Sequence, residues 1–310
     1  MIVFFKKGID MNLIKRVFLL ILILTVPCIT HAIDCDFLIT QTNIDGGLTI
    51  DQAGVWCFFE TTTFVEDTGI TITTTGVTLD LQGFSFEGTQ VGTRAISIEQ
   101  VAEVTIQNGA IKDILGNGIE VAGTTEVIID NITMHNVGGD GIHIANAYLV
   151  DAMNCTIELT DGVGVNLASD THDIALSHCT TTSATNTGFL LEGTDCLVHL
   201  CISQRTRGTG TGYVLAGSSI TTSFSNARYN INGYQVSGDN NVIKQSYIGN
   251  NSADGILVLA GATDNIFLGN RLQWNAGYGI RGTGGTLNTA QSNSAEQNGL
   301  GNFYRIINLQ

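Results

Sequence analysis

GIEVAGTTEVIIDNITMHNVGGD, residues 118–140, decides the architecture, because residues 141–163, GIHIANAYLVDAMNCTIELTDGV, repeat its grammar. Each segment opens on glycine, alternates β-branched and polar residues, breaks at an asparagine and ends in a polar loop. The opening glycine recurs as Gly118, Gly141, Gly164, Gly188, Gly212, Gly233, Gly255 and Gly279, at intervals of 21–24 residues. A period this short marks stacked coils rather than a globule. The loops are too short for crossover helices, which need about a dozen residues. Each opening glycine is expected to sit at a corner, where its backbone freedom would serve the turn.

A second series, Asn108, Asn131 and Asn154, recurs every 23 residues, with His178, Asn226, Ser246 and Asn270 near the same phase. It reads as a column of inward polar side chains bonded to one another and to the turn backbone. Asparagine also tolerates left-handed backbone. The only proline is Pro27, as suits strands flanked on both sides.

The run GVTLDLQGFSFEG (76–88) and the coil starts NGIEV, DGIHI and DGILV resemble the right-handed parallel β-helix proteins of the pectate-lyase-like superfamily. The resemblance covers residues 69–300 and implies an all-β solenoid. It assigns no subfamily, since the superfamily spans lyases, hydrolases, epimerases, phage spikes and adhesins. The Asp-Pro-His-Asp run of epimerase-like members is missing, and Arg205, Arg207, Arg228, Arg271 and Arg281 lie C-terminal to the main carboxylate cluster. The expectation is a right-handed parallel β-helix of about nine or ten coils. Residues 33–68 and 301–310 are expected to cap it.

Met1 or Met11 starts a leader: Lys15 and Arg16, the apolar run VFLLILILTV, then PCITHA with cleavage expected after Ala32. The apolar run is too short to span a bilayer, and no transmembrane segment is expected downstream. Export to the cell surface, periplasm or medium follows. Removing the leader takes away four basic residues and one acidic residue, leaving 9 basic, 27 acidic and a net charge of -18. That balance argues against nucleic-acid partners. Six cysteines remain. Cys35 with Cys57 is a candidate disulfide; Cys155 and Cys179, one coil apart, either bridge or stay reduced as small core residues.

Alternation from the corner glycines places Glu120, His143, Asn166 and Gln235 outward in one stack, and Lys112, His135 and Glu158 in another, with Asp140 between them. Under an enzyme reading Lys112 neutralises a uronate, His135 or His143 serves as base, and Glu120, Asp140 or Glu158 acts as acid or metal ligand. Calcium belongs only to the lyase form of this reading; no other cofactor is expected. Asn166, Gln235 and Trp274 are candidate binding residues for a polysaccharide or cell-surface glycan. The plain alternative is a solvated face. Phe189, Tyr213 and Tyr234, which follow corner glycines, are expected inside. The reading favours an exported protein with a binding or structural role toward carbohydrate, over a lyase, C5-epimerase or glycoside hydrolase.

Overall fold

The computed structural model describes residues 34–310 apart from 90, 91, 209, 285, 286 and 310. The leader over residues 1–32, Cys28 included, lies outside the described residues. The chain winds as an all-β right-handed parallel solenoid of roughly 11 turns. That count exceeds nine or ten because strands within residues 37–64 pair in parallel with those that follow and add rungs of their own. A short helix, Gln41–Ile44, lies among them with Ile44 buried. The Cys35–Cys57 disulfide is formed, with Cα atoms 5.8 Å apart.

Each coil presents three faces. The first is a 12-stranded parallel sheet that includes Asn117–Ala122, Ile142–Ala145 and Val165–Leu167. The second and third belong to one 22-stranded sheet, as in Tyr148–Met153 followed by Thr156–Thr160. One residue with left-handed backbone turns the chain between them: Asn131 (φ 55°), Asn154 (55°), His178 (54°), Leu200 (54°) or Phe224 (52°). Similar residues enter the second face and leave the third, so left-handed positions recur five apart, as at Asp264, Gly269 and Trp274.

Asn108, Asn131 and Asn154 are therefore turn residues, and they hydrogen-bond along the column, Asn131 Nδ2 to Asn108 Oδ1 at 3.1 Å. Their side chains point outward, contrary to expectation: Asn131 and Asn154 are exposed. The inward position is the next one along. From residue 230 onward it carries three asparagine ladders, Asn241–Asn265–Asn288, Ser246–Asn270–Asn293 and Asn230–Asn251–Asn275–Asn298. The side-chain oxygen accepts the turn amide of the preceding coil, which the corner has cut off from the strand ladder. In earlier coils the corresponding places are apolar, as at Val127, Val150 and Ile174, all buried.

Cys155, Cys179 and Cys201 occupy the middle of one such column and are buried and unbridged. The expected Cys155–Cys179 bridge does not form. In-register neighbours of a parallel stack carry parallel Cα–Cβ bonds about 4.8 Å apart, whereas a disulfide needs Cβ atoms about 3.8 Å apart and converging. The thiols donate to backbone carbonyls instead: Cys155 to Met153 at 3.2 Å, Cys179 to Ala152 at 3.4 Å and Cys201 to Leu176 at 3.5 Å. The Cys179 hydrogen bond and burial hold the Cys155 thiol above its usual range, and burial holds Cys196 at about 11.

None of the eight corner glycines has left-handed backbone. They are needed for clearance: a Cβ on Gly118, Gly141, Gly164 or Gly212 would lie 2.6 Å from the carbonyl oxygen of the glycine one coil on. Phe189, Tyr213 and Tyr234 are fully buried and form a stacked ladder inside the coil, with centroids 4.8 and 4.6 Å apart.

Candidate functional site

The outward stack of the first face follows the register read from the repeats: Glu120 opposite His143, His143 opposite Asn166, and Gln235 farther along between Val214 and Leu257. Lys112, His135 and Glu158 stack in register on the third face. The six candidate catalytic residues thus divide between two faces. On the third face Lys112 Nζ turns to Glu87 at 3.5 Å, both half-buried, and His135 Nδ1 to Glu158 at 3.7 Å, both exposed. Such pairs contribute little to stability. Trp274, 49 % exposed, is a left-handed corner residue beyond the third face and does not join Asn166 or Gln235.

On the first face Asp140 joins His143 and Asn166. Its Oδ2 accepts from Asn166 Nδ2 at 2.8 Å and lies 3.1 Å from His143 Nδ1; its Oδ1 accepts the Val163 amide at 2.8 Å. Its own amide donates to Asn117 Oδ1, and Asn117 Nδ2 reaches Glu120 at 3.2 Å. Arg94, absent from the sequence reading, completes the network at 3.1 Å from Glu99 and 3.3 Å from Glu120. Asp254 braces its corner in the same way, accepting the Tyr278 amide and Arg281 Nε. Asp140 is therefore first a corner brace.

Burial pushes the Asp140 carboxyl up, but the hydrogen bonds from His143, Asn166 and Val163 outweigh it and hold the group below its usual 3.8. The bond to Asp140 outweighs the burial of His143 and raises the imidazole above 6.5. A raised histidine stabilises fully below its unfolded value and loses that contribution as pH rises through its folded value; a lowered aspartate stabilises above 3.8 and loses it as pH falls. The melting-temperature gap between the native chain and His143→Gln is expected to be largest between about pH 4 and 6.5 and to shrink at pH 8. A gap independent of pH would refute this titration.

A shallow groove runs along the corner between the first and second faces. Gly123, Thr124, Thr125, Asn146, Tyr148, Asp170 and His172 line a cavity of about 210 Å³. A neighbouring cavity of about 240 Å³ shares Gly123 and Asn146 and reaches Glu99 and Gln100. Left-handed backbone at Gln100, Gly123 and Asn146 makes the corner tight. Tyr148 and His172 meet in register on successive rungs, their rings stacked 5.1 Å apart and 3° from parallel. Thr125, one rung before Tyr148, is too small to cover the ring, and Tyr148 stays 44 % exposed. Asp170 Oδ1 accepts the Asn146 amide at 2.8 Å. Sequence reasoning missed this groove, although the 24-residue spacing of Tyr148 and His172 was there to find.

Among the described residues no group of three or more His, Cys, Asp or Glu is placed to hold a metal ion, and no helix is long and apolar enough to cross a membrane. The family described as "Right handed beta helix region" matches residues 94–236. The fold is that of the right-handed parallel β-helices. Among solved β-helices, an alginate lyase from Paenibacillus sp. is 14 % identical with TM-score 0.61, over 88 % of this chain and 99 % of its own. The ORF18 protein of Geobacillus virus E2 is 14 % identical with TM-score 0.62, over 83 % of this chain. A periplasmic alginate epimerase mutant is 12 % identical with TM-score 0.56, over 74 % of this chain. The chain spans 53 % of the viral protein and 63 % of the epimerase. At these identities the shared property of the β-helices is the fold. A search of curated proteins finds no match.

Proposed function

We propose that this β-helix is an exported or surface protein that holds a polysaccharide or cell-surface glycan along its flank. The observation that carries the reading is the Tyr148–His172 ring pair beside Asn146 and Asp170 in the corner groove. Sugar rings present C–H faces to aromatic rings and hydroxyls to carboxylates and amides, which this groove supplies side by side. The fold is shared with proteins named for acting on alginate, which agrees with a carbohydrate partner. A net charge of -18 on the expected mature chain disfavours nucleic acid. The test is a binding screen of the purified chain against neutral and acidic oligosaccharides. Tyr148→Ala is expected to weaken the best ligand about tenfold, some 1.4 kcal/mol. Absence of binding to every glycan, or binding indifferent to Tyr148→Ala, would sink the reading.

The Asp140–His143 pair favours a second reading, a polysaccharide lyase, C5-epimerase or hydrolase working on the first face. Its imidazole, held by Asp140 and raised in pKa, suits proton transfer. Incubation with uronate and neutral polysaccharides, with and without Ca²⁺, distinguishes the two. Unsaturated or shortened products lost in His143→Gln would establish catalysis there.

A further inference from the structure

Charge is not spread evenly around the coil. The first and third faces set cations among their acids, Arg94 between Glu99 and Glu120, Lys112 beside Glu87 and Arg281 on Asp254. The corner between the first and second faces does not. Over four successive coils its segments 99–103, 122–126, 145–149 and 168–173 hold Glu99, Glu103, Glu126, Asp170 and Asp173, all exposed, and no lysine or arginine. Arg94 reaches Glu99 from the first face, and Asp173 turns to His172 at 3.0 Å. Among the described residues Glu103, Glu126 and Asp170 form no ion pair. Glu103 and Glu126 are left-handed residues of adjacent rungs (φ 56° and 57°), so their backbones stand about 4.8 Å apart beside the groove that Gly123 and Thr125 line.

The groove itself is incomplete. Thr124 and Thr125 line it, and the hydroxyl oxygens of both are buried without a hydrogen-bond partner among the described residues. Thr124 is only 2 % exposed. An unmet buried hydroxyl is costly, and an N–H or O–H donor seated in the groove meets it. The Tyr148 ring is covered by His172 on one side and open on the side of Thr125. An open aromatic face beside carboxylates suits an ammonium group, which the ring and the charges attract together. No three of the described acids are placed to close on a metal ion, so the charge calls for cations spread along the rungs. A cationic peptide would meet the same carboxylates. The strands that border the groove are hydrogen-bonded on both sides, however, and leave a peptide no free edge to pair with.

We infer that the corner groove selects a glycan carrying free amino groups, of the glucosamine-polymer type, over neutral and acidic glycans. One ammonium sits over the open Tyr148 face beside Asp170, and Glu103 and Glu126 hold the charges of neighbouring sugars along the rim. The Thr124 and Thr125 hydroxyls take the protons that a sugar hydroxyl or amine offers. The same carboxylates turn a uronate polymer away, which makes the selection by charge as much repulsive as attractive. The inference rests on the carbohydrate reading of the Tyr148–His172 groove and names the ligand class of that site.

The test is calorimetry of the purified chain at about pH 6, where an amine is charged. The probes are a glucosamine tetramer, its N-acetylated counterpart, a uronate tetramer and tetralysine, each at two salt concentrations. The glucosamine tetramer is expected to bind about tenfold more tightly than the acetylated one, with the difference shrinking at high salt. Glu103→Gln/Glu126→Gln changes two exposed side chains without changing their size. It should weaken the glucosamine tetramer severalfold and flatten its salt dependence, while the acetylated tetramer binds as before. Tyr148→Ala should weaken both. Equal or tighter binding of the acetylated tetramer, the uronate or tetralysine would each overturn the inference, as would unchanged glucosamine affinity in the double variant. Acetylated-glycan binding that depends on Tyr148, with no preference for the amine, would remove the inference and leave the broader reading standing. No binding of any of the three glycans would remove both.

Discussion

Asn265→Leu is expected to cost about 2–6 kcal/mol of stability, although it keeps the side chain's size. The native Oδ1 accepts the Asn241 amide at 2.8 Å; Nδ2 donates to the Gly238 carbonyl at 3.0 Å and to Asn288 Oδ1 at 2.9 Å. Asn265 is fully buried, so no water replaces those partners when the amide is removed. Two polar groups of the preceding coil, the Asn241 amide and the Gly238 carbonyl, are then left unmet, each at about 1–3 kcal/mol, while Asn288 Oδ1 keeps the Asn265 backbone amide. Asn265→Asp is not a rescue, because it keeps the acceptor, loses both donated bonds and buries a charge. Because each coil rests on its neighbours, the loss should concentrate in the C-terminal coils. Urea unfolding followed by hydrogen exchange reads both the size and the place. A cost below about 1 kcal/mol would show that the ladder is not what holds those corners.

Gly188→Ala is the second large effect, expected at about 3 kcal/mol or more from overpacking. The added methyl meets Ser203 Oγ, the Gly212 carbonyl oxygen at 2.7 Å and Thr181 Oγ1 at 2.7 Å. The carbonyl belongs to the backbone of the adjacent coil and cannot rotate aside. Gly83→Ala is the control, since Gly83 has φ 82° and nothing within 4 Å of the added atom. It should lose only the cost of left-handed backbone, about 1–2 kcal/mol. Thermal melts of the two variants compare clearance with backbone conformation directly. Equal shifts would mean that the corner glycines are chosen for their backbone angles after all.

The repeats alone sorted inward from outward correctly along the first face: Ile119 and Val121 are buried, Glu120, His143 and Asn166 are half-buried, and the three aromatics after corner glycines stack inside. A parallel solenoid makes this possible, because every coil repeats one phase and alternation fixes direction from any single landmark. The asparagine ladders were also written in the chain, as Asn265, Asn270 and Asn275, then Asn288, Asn293 and Asn298, each five apart. The reading took its phase from Asn108, Asn131 and Asn154, which stand one residue earlier in each corner. A slip of one residue exchanges inside for outside.

What the sequence by itself determined is therefore the periodic part: the coil, its spacing, the in-register stacks and which side chains of the first face line the interior. Tertiary structure decided whatever depends on the angle between faces or on distance along the axis. It separated Lys112, His135 and Glu158 from Asp140 and His143, because a left-handed corner rotates one strand away from the next. It kept Cys155 and Cys179 apart, because parallel Cβ vectors do not converge. It assembled the Tyr148–His172 groove from residues a whole coil apart, whose nearness exists only once the rungs are stacked.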